Sequence, residues 1–250
     1  MSDLVRAELR KVTGTRLATG LLLGAVAIGV AALAVTLWLP QAQGVDVQGA
    51  PTSIATTDDV RSLLGVASIV TIFALVLGVT FATTEYRHDT ASTTFLSEPR
   101  RWRVLAAKAV VMAGVGAVYA TATAAIALAM VALAATIDGV PLPLDASVWR
   151  YVGMTVLVTA ANAVLGLGIG AALRNQVGGI VAVLVWLFVV ESLLAGLLPD
   201  VARWTPFAAG GAMTAPTEQM SRAVGSLVVA GYVVLALGVG AWMTEQRDVA

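Results

Sequence analysis

The densest block of charge in this chain is TEYRHDTASTTFLSEPRRWRVLAAK, residues 84–108. It separates two long apolar stretches of a sequence in which 58% of residues are hydrophobic and only 12% are charged. Charge that is nearly absent elsewhere and concentrated here indicates contact with water, lipid headgroups or a partner protein. We therefore interpret the block as a loop between two membrane spans, and we expect the function to be controlled there.

The mean hydropathy of +0.88 over 250 residues is too high for a water-soluble domain. A helix needs roughly 20 apolar residues to cross about 30 Å of hydrocarbon, where its backbone must satisfy its own hydrogen bonds. The sequence therefore predicts an all-α integral membrane protein, with one six-span domain over residues 1–250. The predicted spans are approximately residues 17–39, 63–83, 104–136, 151–173, 179–198 and 223–243. The first is too long for the core of a signal peptide, so we expect it to be retained.

The distribution of basic residues predicts the orientation of these spans. An even number of spans places both termini on one side of the membrane. Most of the 15 Lys and Arg residues fall at the termini and in residues 84–108, whereas the acidic residues divide almost evenly between the two sides. By the positive-inside rule, both termini and the charged loop are cytoplasmic.

Residues 3–16 are expected to form an amphipathic helix on the inner membrane surface. At about 100° per residue, the apolar side chains Val5, Leu9 and Val12 fall within one narrow arc. The cations expected to meet anionic lipid are Arg6, Arg10 and Lys11, with Lys108 reaching the interface from the third span. A basic segment that acts only as a topology signal is the alternative.

Two polar residues within the apolar runs are candidates for a substrate pathway. A carboxylate in hydrocarbon is costly, so Glu191 marks a functional site unless it is hydrogen-bonded near the outer interface. Asn162 is the second candidate, with an interhelical hydrogen bond as the alternative. Beyond Glu191, residues 199–222 form an extracytoplasmic segment with an apolar portion at 207–213. Such a portion re-enters the membrane only where protein shields its backbone.

Several chemical classes find no support in the sequence. There is no cysteine and only one histidine, His88, so thiolate sites and multi-histidine metal sites are excluded. The phosphate-loop, zinc-protease and serine-hydrolase motifs do not occur. With a net charge of zero, the chain has no overall attraction to nucleic acid. We expect no catalytic residue, metal or cofactor in this chain.

The charged block contains a Glu, a Thr five residues later, a Pro-x-Arg element, and a Lys at the start of the next apolar run. These residues are Glu85, Thr90, Pro99-Arg100-Arg101 and Lys108. The pattern resembles the first cytoplasmic loop of bacterial ABC transporter permeases of the type-2, exporter-like class. The six-span layout and the Gln246-Arg247-Asp248-Val249 tail are also similar to that family. The block departs from the family at His88-Asp89, where a His-Gly or Asn-Gly pair is common.

The resemblance implies a permease subunit in the bacterial plasma membrane, with a short cytoplasmic coupling helix between spans two and three. That helix would dock on a separate ATPase, present in two copies, which binds ATP and Mg²⁺. A second permease, identical or similar, would complete the pathway. The coupling residues implied by position are Glu85, Arg87, Thr90, Pro99, Arg100 and Arg101.

Two other classes of function stay open on the residues alone. An ion-coupled carrier or a channel would need more charge inside the membrane, or inverted repeats with broken helices. A membrane anchor or assembly factor would use the charged loop as an ordinary docking patch. Pairs of glycines four residues apart, at Gly20 and Gly24 and at Gly166 and Gly170, predict close helix packing in any of these classes.

Overall fold

The protein is described here from a computed structural model that covers residues 1–43, 54–87 and 100–246, with side chains outside residues 39–43. Every regular element in these ranges is a helix, and six are long and apolar enough to cross a membrane, which confirms the predicted six spans. Spans one to six are Arg16–Trp38, Thr57–Arg87, Arg101–Ile137, Ala146–Leu173, Gln176–Leu197 and Arg222–Gln246.

Three shorter helices complete the described architecture. The N-terminal helix is Ser2–Thr13, and the connection between spans five and six contains Pro199–Ala202 and Pro206–Thr214. Contacts of the N-terminal helix place it beside the end of span two and the start of span three. We call this end of the bundle, where span six also finishes, the terminal end.

Span two begins earlier than the predicted residue 63 because its sequence carries a strong helix start. The Thr56 hydroxyl accepts a hydrogen bond from the Asp59 backbone N–H at 3.2 Å. The Asp59 carboxylate accepts one from the Thr56 backbone N–H at 2.8 Å. This reciprocal capping box satisfies two amides that the helix would leave unpaired. The polar residues after Thr56, which we expected in a loop, therefore form the first turns of the span.

Spans two and four form the centre of the bundle. In their most apolar windows, 61% of residues are buried, compared with 6% in span five. Contact between the two central spans depends on glycine: a methyl group at Gly170 would lie 2.6 Å from the Val79 carbonyl oxygen, and one at Gly166 would overlap the Leu75 backbone. The prediction of close packing is thus confirmed for this glycine pair. Gly20 differs, since a methyl group there would have no atom within 4 Å.

Two spans contain irregular turns. Span two is interrupted by a 3₁₀ turn at Ala67–Ile69, and span five by a π-helical turn at Trp186–Val190. Such turns in the middle of a helix change its hydrogen-bond pattern and often occur at functional sites. They divide each span into two helical segments. In span five the first segment packs against spans two and four and the second contacts the helix Pro199–Ala202, whereas both segments of span two contact spans one, three and four.

The apolar segment predicted at residues 207–213 forms the helix Pro206–Thr214, which packs between spans four and six. Ala209, Ala212 and Met213 are buried in one cluster with Val158 and Val229. Protein therefore shields this backbone, as a re-entrant segment requires. Its depth relative to the membrane stays a prediction.

Replacing Gly166 by valine is expected to destabilise the fold, because the new side chain would force spans two and four apart. Overpacking of this kind costs about 1–3 kcal/mol. The measurement is unfolding of the purified protein by sodium dodecyl sulfate, followed by tryptophan fluorescence. Gly153→Val on the same span is the matched control, since a methyl group at Gly153 has nothing within 4 Å. An equal loss of stability in both variants would contradict a contact between spans two and four that depends on Gly166.

Candidate functional site: a buried ionic cluster beside the charged loop

Four charged side chains from three elements meet at the terminal end, and we call them the ionic cluster. Lys108 Nζ of span three lies 2.7 Å from Glu8 Oε2 of the N-terminal helix and 2.9 Å from Glu85 Oε1 of span two. Lys11 Nζ lies 2.6 Å from Glu8 Oε1 and 2.6 Å from Glu85 Oε1. Each ammonium thus bridges the same two carboxylates, and the cluster has no net charge.

The ionic cluster lies mostly inside the protein. Glu8 is 2% exposed, Lys108 is 5% exposed and Glu85 is 8% exposed, whereas Lys11 lies at the partly exposed edge. Lys108 Nζ is also 4.5 Å from the centre of the Phe81 ring, close enough for a cation–π contact. A buried charge is tolerated only when it is paired and hydrogen-bonded. The cluster therefore holds its three helices in one relative arrangement.

Glu8 is the member of the cluster that our sequence reasoning missed. At about 100° per residue, Glu8 lies about 40° from Val12, at the edge of the arc of Val5, Leu9 and Val12. Val12 is buried and Val5 packs against the same core, whereas Leu9 is exposed, so the edge of the arc nearest Glu8 faces the bundle. An acid at the edge of the apolar arc was the available signal, and it required a basic partner on another element.

Lys11 keeps its charge over the physiological pH range. Partial burial acts to lower the pKa of Lys11, but hydrogen bonds to the Glu8 and Glu85 carboxylates and their charges outweigh it and raise that pKa. A lysine with a raised pKa stabilises the folded state fully at pH values below its unfolded pKa. That contribution is lost only as the pH rises through the raised value. The Lys11 contacts are therefore constant near neutral pH.

A second group of contacts beside the cluster connects the ends of spans four and six to those of spans two and three. Arg101 Nη1 of span three donates a hydrogen bond of 2.7 Å to the Thr244 carbonyl of span six. Arg174, which ends span four, donates to the Met243 and Thr244 carbonyls at 3.3 and 3.4 Å. Its guanidinium also lies 4.9 Å from the centre of the Tyr86 ring in span two. These arginines satisfy carbonyls near the end of span six, where positive charge is favourable.

The predicted coupling residues have different environments. Glu85 belongs to the buried cluster and Arg101 contacts span six, whereas Arg87 and Arg100 are exposed. Arg87 donates a hydrogen bond of 3.1 Å to the Gln176 side chain at the start of span five. Thr90 and Pro99 lie outside the described residues, as does the part of the predicted coupling loop (residues 84–108) between residues 88 and 99. Within the described part, the structure thus separates exposed from buried members of the motif.

The four cations expected to meet lipid divide in the same way. Arg6 and Arg10 are exposed on the N-terminal helix, as contact with headgroups requires. Lys108 instead lies inside the protein, because Glu8 and Glu85 pair with its ammonium group. Lys11 contacts the same carboxylates from the edge of the cluster.

The two candidates for a substrate pathway have separate partners. Glu191 Oε1 accepts hydrogen bonds from the Trp186 indole N–H at 3.1 Å and the Phe207 backbone N–H at 3.4 Å. The carboxylate thereby joins span five to the first turn of the helix Pro206–Thr214. Asn162 is buried and donates to the Val158 carbonyl of its own span at 2.9 Å. Its Oδ1 has no hydrogen-bond partner among the described residues.

Comparison with known proteins finds no matching family model and no matching curated protein. The function is therefore inferred from the loop motif and from the contacts at the terminal end.

Lys108→Met is expected to cost about 3 kcal/mol of folding free energy, because it leaves two buried carboxylates to share Lys11. Adding Glu8→Gln should recover part of that loss, since Lys11 and Glu85 then remain as a balanced pair. The measurement is a double-mutant cycle in sodium dodecyl sulfate unfolding. Arg10→Met, on the exposed side of the same helix, is the control and should change little. If the free-energy costs of Lys108→Met and Glu8→Gln simply add in the double variant, the four groups do not act as one electrostatic unit.

Glu191→Gln is expected to preserve stability, because the amide oxygen of glutamine still accepts from Trp186 and Phe207. Glu191→Leu removes the acceptor from both donors and should cost about 1 kcal/mol. Both variants are compared with the unchanged chain by thermal unfolding in one detergent. A glutamine variant as unstable as the leucine variant would show that the negative charge itself is required.

Proposed function

We propose that this chain is the membrane-spanning permease subunit of an ATP-driven ABC exporter, coupled through residues 84–108 to a separate cytoplasmic ATPase. The observation that carries the proposal is the ionic cluster. It joins the two spans that flank the charged loop to each other and to the N-terminal helix. The resemblance of the loop motif to type-2 permeases supplies the identity of the partner.

The arrangement is suited to transmitting a displacement of the loop. Glu85 lies in the last turn of span two, and Lys108 lies about 10 Å along span three from Arg101, so the two residues lie on either side of residues 88–99. Because both residues share carboxylate–ammonium contacts, a force on residues 88–99 would act on the two spans together. Arg101 and Arg174 extend the connection to spans six and four through the carbonyls of Met243 and Thr244. The proposed power stroke would therefore reach four spans at once.

The exposed and buried residues of the motif then have different roles. Arg87 and Arg100 are exposed and are proposed to contact acidic groups on the ATPase. Glu85 is proposed to position the loop through the cluster, and Thr90 and Pro99 to shape it. Arg6 and Arg10 are proposed to bind anionic lipid on the cytoplasmic surface of a bacterial membrane. Because the number of spans is even, both termini would then lie in the cytoplasm.

The complete transporter would contain two ATPases and a second permease, either identical or similar. ATP and Mg²⁺ would bind to the ATPases, and this chain would take no direct part in catalysis. Its weakly packed fifth span is compatible with contact to a second permease. No role for nucleic acid is proposed.

The double variant R87A/R100A is expected to reduce co-purification with the proposed partner ATPase by at least tenfold, because charge-assisted hydrogen bonds are lost. The measurement is the amount of ATPase retained on the tagged permease after co-expression and extraction in mild detergent. Gel filtration of the permease alone verifies folding.

The matched control is R6A/R10A, which removes two exposed positive charges from the same end of the bundle. It should retain the ATPase and lose affinity for anionic lipid vesicles instead. Equal ATPase recovery with R87A/R100A and with the unchanged chain would overturn docking at the loop. Equal loss in both double variants would indicate a general charge effect and contradict a defined coupling site.

A further inference from the structure

Two cavities in the bundle have one lining residue in common, Phe207. One, of about 370 Å³, lies between spans two and four and the helix Pro206–Thr214. The other, of about 390 Å³, lies among spans four, five and six and is bordered by Leu165, Val183 and Leu235. Both volumes fall within the range of small-molecule sites. We call them the hydroxyl cavity and the apolar cavity.

The hydroxyl cavity presents hydrogen-bond acceptors without formal charge. Three hydroxyls on its wall already donate to carbonyls of their own helices. These bonds are Ser68 to Gly65 at 2.6 Å, Thr155 to Tyr151 at 3.0 Å, and Thr214 to Gly211 at 2.9 Å. A hydroxyl oxygen that has used its hydrogen still has lone pairs to accept a bond. The Tyr151 phenol on the same wall lies within hydrogen-bond reach of the Thr155 and Thr214 hydroxyls, so the wall is suited to a hydroxyl group, which can both donate and accept.

The apolar cavity has the opposite chemistry. Its wall is formed by aliphatic and aromatic side chains, among them Leu75, Ile169 and Trp186. Neither cavity has an Asp, Glu, Lys or Arg residue among the residues that line it. An ionised group would lose its hydration in either space without gaining a partner of opposite charge. A hydrocarbon chain fits the apolar cavity and an uncharged polar group fits the hydroxyl cavity.

The irregular turns of the fold border these two spaces. The 3₁₀ turn of span two places Ser68 and Ile69 on the hydroxyl cavity, and the π-helical turn of span five begins at Trp186 on the apolar cavity. A π-helical turn of this type is frequently found at a functional site. Both deviations from regular helix thus occur where the cavities are formed.

We propose that the two cavities form one binding site for an amphipathic molecule with an alkyl chain and an uncharged, hydroxyl-bearing head. The chain occupies the apolar cavity, and the head donates hydrogen bonds to Ser68, Thr155 and Thr214. This inference rests on the proposed transport function, since it names the class of substrate. It also assigns Glu191 a positioning role, because that carboxylate holds Trp186 and Phe207 at the boundary of the cavities.

The test is binding of tritiated monodecanoyl glycerol to the purified, unchanged chain in lipid nanodiscs, with excess unlabelled ligand defining specific binding. Competitors carry the same length of chain with a carboxylate or a trimethylammonium head. The glycerol compound should bind saturably, and both ionised competitors should be at least tenfold weaker. Equal competition by all three would show a site that recognises only hydrocarbon and would overturn the proposal. If the trimethylammonium compound competes more strongly than unlabelled monodecanoyl glycerol, and this advantage disappears in Glu191→Gln, the site is a cation site instead.

Two pairs of variants test the two halves of the site. S68A/T155V/T214V should weaken glycerol binding at least tenfold and remove the preference over the ionised heads. Its control, T121V/T136V/S226A, removes three hydroxyls that also donate within their own helices but lie outside both cavities. Equal affinity of both triple variants would overturn head recognition.

Ala182→Phe should fill the apolar cavity and abolish binding, whereas Val181→Phe, one residue away outside the cavity wall, should preserve it. Loss of ligand binding in both variants would contradict the site. So would a change in the oligomeric state of Ala182→Phe measured in the absence of ligand, because the loss of binding would then not come from filling the cavity. These measurements need no ATPase, so they separate the two proposals. If the ligand binds but the ATPase is not recovered with the permease, only the transporter assignment is refuted. If the ATPase is recovered but the ligand does not bind, only the proposed substrate class is refuted.

Discussion

The pairing of buried charges at the terminal end constrains the rest of the bundle. Lys108 cannot occupy the protein interior without carboxylates beside it, and its two carboxylates come from different helices. Any movement that separates these helices would leave an unpaired charge in the apolar interior of the protein, which is costly. The N-terminal helix and spans two and three are therefore expected to move as one unit. The two ammonium groups and two carboxylates of the ionic cluster balance one another, so the cluster that joins this unit has no formal net charge.

Packing in the centre of the bundle complements that electrostatic constraint. Glycines in span four bring its backbone against span two, so the two best-buried spans form a rigid pair. Span five packs far less and is divided by its π-helical turn. A rigid centre with a loosely attached fifth span is a suitable arrangement for a protein that opens a pathway on one side. The apolar cavity is bordered by span five at Ala182, Val183 and Trp186, where the π-helical turn begins.

The sequence was sufficient for the number and type of elements but not for their contacts. Long apolar runs identify spans because lipid leaves helices as the available structure, and Gly166 and Gly170 correctly indicated a close contact. The start of span two was misplaced because the Thr56–Asp59 capping box lies among polar residues. Lys108 was expected at the lipid interface because its partner Glu8 lies 100 residues away, and the sequence alone did not identify a carboxylate beside it. Pairing across such distances requires the three-dimensional arrangement of the helices.

The separation of Glu8 and Lys108 by 100 residues also has a consequence for biosynthesis. When the N-terminal helix leaves the ribosome, neither Glu85 nor Lys108 has been made. Glu8 and Lys11 must therefore wait in water or among headgroups while the first two hydrophobic segments enter the bilayer. Docking of the N-terminal helix becomes possible only after the third segment is synthesised, which makes it a late step in maturation of the chain.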